Sequence, residues 1–379
     1  MIDLLKTALI LVLVGLASAC ATPLRTEINA ALTNPDQIGI HWGLVVADLD
    51  GTELLEIDGD GRFLPASNTK IVTTMASYHH LEALSTPRLN PGTRVWLEPD
   101  PEGGPPDLVV GGGGDAMLSD AADCEIYCLS GLADQIKARG LTEIGHVIGD
   151  DTFFPFERWG VGWGLEDVNF YYGTAISALS VNDNLVWVDV APGLKEGDLA
   201  QAIWRPGDAV FELTSEVRTG AADSQRKLRI ERFPGANQVR LYGAVPAGGP
   251  VTSLRLAINN PAELVARRLA DHLTARGVAL AGIRTRHRPL TLADEPPDPD
   301  LDLEQDLAPM LDTMPSAEAT QAAALPSATL AHLPASPLSE SLERISKDSQ
   351  NLHADIALRR LGLLEGTGRC ASVADGNAA

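Results

Sequence analysis

Two short strings in this 379-residue chain have the residue types and spacing for nucleophilic chemistry. Ser67-Asn68-Thr69-Lys70 sets a hydroxyl and an amine three residues apart at the start of an apolar-periodic segment. On a helix, residues i and i+3 share a face, so Lys70 would stand beside the Ser67 hydroxyl. Serine is a weak nucleophile until a neighbouring base takes its proton, and a desolvated lysine can be that base. Ser67 is also placed to act as a plain helix N-cap. The second string, Ser349-Gln350-Asn351, offers another hydroxyl and a carboxamide, groups able to relay a proton and hold an amide substrate.

The elements that must position these groups follow from periodicity. Ile71, Met75 and Tyr78 repeat as i, i+4, i+7 and predict a helix that begins near Ser67, where the macrodipole favours developing negative charge. A strand is expected over residues 38–47, a turn at Asp50-Gly51 and a returning strand over 53–57. From Pro87 to Arg286 strand-like stretches alternate with turns, interrupted by helices at Leu129–Arg139 and Pro261–Arg276. Residues 289–329 are rich in Pro, Ala, Asp and Glu without a period, and read as an acidic linker or insertion. Leu338, Leu342 and Ile345 then predict a helix, and a further one follows Asn351.

The formal charge of −22 and a pI near 4.6 set a surface that repels phosphate backbones, so nucleic-acid partners are excluded. The N-terminus reads as an export signal over residues 1–21: Lys6, an apolar core from Ala8 to Leu16, and Ala17-Ser18-Ala19 as a small-residue cleavage site. Cys20 lies where a bacterial lipoprotein would carry its lipid; cleavage without a lipid is the alternative. Cys124 and Cys128, both expected on the helix that includes Leu129, Leu132 and Ile136, read either as buried thiols or as one structural bridge, although a bridge within one regular helix is awkward. The eight histidines and four cysteines show no metal-ligand spacing, and no cofactor motif is present.

Ser-x-x-Lys followed by Ser-x-Asn resembles the signature of penicillin-interacting serine acyl-enzymes. Ser349 lies 282 residues after Ser67. This long interval resembles that of the D-alanyl-D-alanine carboxypeptidase/endopeptidase family, the low-molecular-mass class C penicillin-binding proteins. Leu108 to Asp115, the Gly-Asp-Asp of residues 149–151 with Phe153, Tyr172 to Asn184, and Ser346 to Ala354 are similar to further family blocks. The resemblance implies a multidomain α+β protein. Residues 22–85 and 330–379 would form a discontinuous transpeptidase-like domain, an antiparallel sheet flanked by helices and incomplete here, with a β-rich domain pair inserted at 86–288. It implies Ser67 as the acylated nucleophile, Lys70 as its base, kept neutral by burial and nearby positive charge, Ser349 as proton shuttle and Asn351 as substrate-binding residue. Peptidoglycan stem peptides would be the substrates and β-lactams covalent inhibitors, in the periplasm.

Ser180-Val181-Asn182 also fits Ser-x-Asn, but lies in the inserted region, where Ser180 is expected to cap a turn. No Lys-Thr-Gly or Lys-Ser-Gly follows Asn351, Arg218-Thr219-Gly220 precedes it, and Asp355 stands where the family usually has Glu. The chain therefore reads as C-terminally truncated, with weak or absent turnover expected. The competing reading is a catalytically inactive envelope protein that binds cell-wall fragments.

Overall fold

The structure is a computed structural model that describes residues 26–33, 35–37, 39–160, 162–233, 235–289 and 329–365. The expected leader at 1–21, with Cys20, and nearly all of the acidic stretch at 289–329 lie outside the described residues. The chain divides into two units, one ending at Ala66 and the other beginning at Ser67.

In the first unit the Asp-Gly turn joins β1 (Leu44–Ala47) to β2 (Glu53–Ile57) as an antiparallel pair, Val46 opposite Leu55. Gly51 adopts φ +90°, a conformation that glycine reaches without a Cβ clash. The Asp48 and Asp50 carboxylates accept hydrogen bonds from the Thr52 amide at 3.1 and 3.0 Å and fix the turn. Leu55 is buried, whereas Val45, Val46 and Leu54 are exposed. The hairpin forms a two-stranded sheet, which alone buries little apolar area.

The second unit is mixed α and β, so the fold class is α+β. Its largest sheet has the order β12-β5-β4-β3-β13, from β3 (Thr93–Glu98), β4 (Asp107–Gly111), β5 (Glu143–Pro155), β12 (Ala279–Arg288) and β13 (Ala331–Leu333). β12, β5 and β4 run parallel, and β3 is antiparallel to β4 and β13. Between β4 and β5 comes α3 (Leu129–Ala138), and before β12 comes α4 (Pro261–Ala275), each with its apolar stripe buried. In α4 that stripe is the expected Val265, Leu269 and Leu273. Full burial of each such side chain contributes about 1.5–3 kcal/mol.

Two three-stranded sheets complete the β-rich part. One is β11-β6-β7, from β6 (Leu185–Ala191), β7 (Gln201–Trp204) and β11 (Thr252–Ala257), all antiparallel. The other is β8-β10-β9, from β8 (Glu212–Gly220), β9 (Lys227–Glu231) and β10 (Gln238–Pro246), with β8 and β10 parallel. Arg218-Thr219-Gly220 ends β8, where buried Thr219 accepts a hydrogen bond from the Gly193 amide at 2.7 Å.

The remaining helices are α1 (Thr69–His79), the short α2 (Leu81–Leu84), α5 (Leu338–Asp348) and α6 (Asn351–Glu365). Their core, Leu84, Leu89, Leu338, Leu342, Ile345, Ala357 and Leu361, is separate from the core of the sheets. α1 forms where periodicity placed it, but Ile71, Met75 and Tyr78 are exposed. The side of α1 turned inward carries Thr73, Thr74, Ala76 and Ser77 instead. Cys124 and Cys128 are joined in a disulfide. They precede α3 in an irregular loop whose Tyr127 has φ +57°, so the expected placement on that helix is corrected and its geometric objection does not apply.

Candidate active site

Ser67 lies in a 3-10 turn, Ala66–Asn68, immediately before α1. Ala66 has φ +46°, a left-handed conformation that costs a non-glycine residue about 1–2 kcal/mol. The Lys70 ammonium donates to the Ser67 hydroxyl at 3.1 Å, the contact that the three-residue spacing predicts. Ser67 is exposed, while Lys70 is partly covered. Burial lowers the Lys70 pKa, and the negative charge of Asp355 raises it. Burial thus favours the neutral amine, and the Asp355 carboxylate opposes it.

Asp355 lies on α6 and is itself displaced. Burial pushes its carboxyl up to about 6, Arg359 and Lys70 draw it down, and Glu157 pushes it further up. Arg359 is buried and donates to the Glu157 carbonyl at 2.5 Å, with the Glu157 carboxylate at 3.2 Å.

Ser349 ends α5 with φ +55° and ψ +37° and is exposed. α1 packs against both α5 and α6, the two helices that meet at Ser349-Gln350. Among the described residues, no hydrogen bond joins Ser349 to Ser67 or Lys70. The Asn351 carboxamide donates to the Tyr172 carbonyl at 2.7 Å. The structure thus brings Ser67 and Lys70 into contact and sets Ser349 and Asn351 at the junction of the helices that flank them.

The junction is tied to the β-rich part by groups that spacing alone did not single out. Asn182, Asp183 and Asn184 are three successive left-handed residues. This turn presents Asp183 to Arg344 of α5 at 3.3 and 2.9 Å, and to His353 of α6 at 3.2 Å. His353 is fully buried; its Nε2 hydrogen-bonds the Asp183 carboxylate, and its Nδ1 shares a hydrogen bond with the Ser341 hydroxyl at 2.7 Å. Burial works to raise the Asp183 carboxyl, but the His353 hydrogen bond and the Arg344 charge outweigh it and hold the pKa below the usual range.

The glycine run after β4 serves the same end. A Cβ on Gly112 would lie 2.2 Å from the Ala178 carbonyl oxygen, so only glycine allows that approach. The turn presents Asp115, whose carboxylate accepts from the Ser336 amide and hydroxyl at 2.7 and 2.8 Å just before α5. Buried Arg360 of α6 donates to the Gly113 and Gly114 carbonyls at 3.2 and 2.8 Å.

Ser180 is buried in this region. Its hydroxyl donates to the Ser177 carbonyl at 3.1 Å and accepts from Asn184 at 3.0 Å, while Asn182 accepts from the Asp120 amide at 2.9 Å. This second Ser-x-Asn is thereby committed to a turn. Among the described residues no group of three or more His, Cys, Asp or Glu is arranged to hold a metal ion, and no described helix is long and apolar enough to cross a membrane.

Residues 24–289 match the D-Ala-D-Ala carboxypeptidase 3 (S13) family; the match includes Ser67 and Lys70 and ends before Ser349. The chain is 35% identical over 277 residues to a D-alanyl-D-alanine carboxypeptidase of Actinomadura sp., covering 70% of this chain and 49% of that protein. It is 33% identical over 153 residues to carboxypeptidase DacB of Mycolicibacterium smegmatis, covering 38% and 31%. The chain thus spans half or less of the length of these relatives. Penicillin binding protein 4 (dacB) from Haemophilus influenzae superposes with a TM-score of 0.63 at 17% identity, covering 87% of this chain and 63% of that one. The same protein complexed with a β-lactam gives a TM-score of 0.53 at 15% identity, covering 83% and 59%. With a serine–lysine pair in hydrogen-bond contact inside the matched span, this chain belongs to the D-Ala-D-Ala carboxypeptidase 3 (S13) family.

Proposed function

We propose that the chain is a serine D-Ala-D-Ala carboxypeptidase or endopeptidase acting on peptidoglycan stem peptides through an acyl-enzyme on Ser67. The observation that carries this reading is the 3.1 Å contact between Lys70 Nζ and Ser67 Oγ within the family match. Neutral Lys70 takes the Ser67 proton as Oγ attacks the carbonyl of the penultimate D-alanine. The tetrahedral oxyanion forms beside the Ser67 amide, one of the donors such an intermediate requires. Collapse breaks the amide bond, and Ser349 passes a proton to the departing D-alanine amine. Asn351 orients the substrate amide, and water releases the acyl group from Ser67. A β-lactam enters by the same attack, its ring amide opening to leave a covalent adduct.

The domain division expected from the sequence is part of this proposal. The separate helical core supports it, since Ala76, Leu81 and Leu84 from the first segment pack there with Leu338, Leu342, Ile345, Ala357 and Leu361 from the last. Export to the periplasm rests on the leader-like residues 1–21 alone, with a lipid on Cys20 and cleavage without one as the two alternatives.

A second reading is favoured by one observation. The Asn351 carboxamide is occupied by the Tyr172 carbonyl, as suits an envelope protein that binds cell-wall fragments without acyl transfer. Fluorescent penicillin separates the two. Covalent labelling that disappears in Ser67→Ala supports acyl transfer; absence of labelling in folded protein supports the binding role.

A further inference from the structure

A cavity of about 400 Å³, distant in sequence from both serine motifs, opens at the start of α4. Its apolar floor includes Val210, Phe211 and Leu264, and Arg158 reaches into its wall. The Arg158 guanidinium stacks over the Phe156 ring at 4.4 Å. Its Nε is shielded from solvent and has no hydrogen-bond partner, and no carboxylate lies within ion-pair distance among the described residues. Two carboxylates act on Arg158 through their charge, Asp151 and Glu263, and Glu263 lines the same cavity together with Arg267. Asp151 accepts from His287 at 2.7 Å and Ser177 at 2.9 Å, and Glu263 is paired with Arg267 at 3.0 Å. A half-buried, unpaired guanidinium is costly to maintain, and an anion in the cavity would offset that cost.

Phe211 and Asn259 of the lining are braced from behind by an arginine outside it. Arg232 stacks on Phe211 at 4.6 Å and donates to the Asn259 and Asn169 side-chain oxygens, both at 3.0 Å. Asn260 caps α4 by accepting from the Glu263 amide, so the positive end of a 15-residue helix faces the same space. With Glu263 and Arg267 paired to each other, Arg158 is left without an ion-pair partner among the described residues, and it suits a singly charged planar acid, because a carboxylate meets the guanidinium fork with two oxygens. The volume falls in the usual range of small-molecule sites.

We propose that this cavity binds a small organic carboxylate, with the acid group on Arg158 and the apolar body against Val210 and Phe211. This gives the cell-wall-binding reading a site of its own, and it does not depend on Ser67. Acidic sugars and acidic peptide units of the cell wall share the required chemistry, and the probes distinguish them.

The test is calorimetric titration of the full chain with N-acetylmuramic acid, N-acetyl-D-glutamate, neutral N-acetylglucosamine and inorganic phosphate. Saturable binding of at least one carboxylate is expected, and preference between the two identifies the source. Arg158→Gln should weaken it about tenfold or more, the loss of one charge-assisted contact. Ala236→Phe fills the cavity without altering charge and should weaken it too, deciding the matter if the Arg158 variant fails to fold. Ser67→Ala should bind as the parent does while losing penicillin labelling, which separates this site from acyl transfer. Equal binding of the neutral sugar, tighter binding of phosphate, unchanged affinity in both cavity variants, or no saturation by either carboxylate up to about 20 mM would overturn the proposal.

Discussion

Asp183 holds Arg344 through both carboxylate oxygens, at 3.3 and 2.9 Å, across 161 residues of sequence. The same carboxylate accepts from buried His353, so one side chain in a left-handed turn fixes the relative placement of α5 and α6. Ser349 occupies the joint between those helices. The position of the second motif is therefore determined from the β-rich part of the chain.

Replacing Asp183 by Asn should accordingly destabilise the protein by about 2–3 kcal/mol near pH 7, because Arg344 and a buried His353 lose their shared anion. The Asp183 carboxyl is held below its usual range, so its stabilisation is present above the unfolded pKa near 4 and is lost as pH falls through the folded value. The difference between parent and variant in urea denaturation should shrink at acid pH. An unchanged midpoint at pH 7 would remove the clamp from the account.

The two Ser-x-Asn strings should separate cleanly by substitution. Ser180→Ala removes two hydrogen bonds from a buried turn and should cost about 1–2 kcal/mol, with penicillin labelling per folded molecule unchanged. Ser349→Ala touches an exposed hydroxyl and should leave stability within about 0.5 kcal/mol while slowing labelling. Ser349→Gly should raise stability by up to about 1 kcal/mol, since glycine accepts φ +55° without a Cβ clash. Loss of labelling in Ser180→Ala alone would reverse the assignment.

These cases mark how far the sequence could be read. Local signals were sufficient for local structure: Asp50-Gly51 for the hairpin, Leu338-Leu342-Ile345 and Val265-Leu269-Leu273 for helix faces, and the Ser67–Lys70 spacing for a contact. Groups that act across long separations were not legible. Asp183, Arg344 and His353 lie far apart and each resembles an ordinary surface residue or a scattered histidine. Their roles arise only when a left-handed turn aims one carboxylate at two helices. Lys70 met a similar limit, because spacing predicted its hydroxyl partner but not the Asp355 carboxylate that opposes its neutral form. On α1, periodicity located the helix and yet misled about its packed face, since a 3.6-residue repeat says which residues align and not what covers them.

That uncovered stripe has its own consequence. Ile71, Val72, Met75 and Tyr78 are each more than half exposed, a contiguous apolar strip on a single helix. Such strips drive association and dye binding in otherwise folded proteins. The pair Val72→Glu and Met75→Lys should reduce fluorescence of a hydrophobic dye and raise the concentration at which aggregation begins. The denaturation midpoint should hold, because neither side chain is packed in the core. A stability loss above about 1 kcal/mol would mean that the strip is covered in solution.

The last prediction concerns the carboxylate facing Lys70. Burial and Glu157 push the Asp355 carboxyl up to about 6 against the pull of Arg359 and Lys70, so the folded state binds this proton more tightly than the unfolded state does. For an acid whose folded pKa is raised, the stabilisation is complete below the unfolded value near 4 and is lost as pH climbs through about 6. Asp355→Asn removes that dependence. Relative to the parent, the variant should gain stability between pH 4.5 and 7.5, by up to about 3 kcal/mol. It should also release Lys70 from the negative charge that raises its pKa, moving the alkaline rise of penicillin labelling to lower pH. A labelling profile that stays in place while the stability profile flattens would show that Asp355 governs folding without setting the protonation of the base.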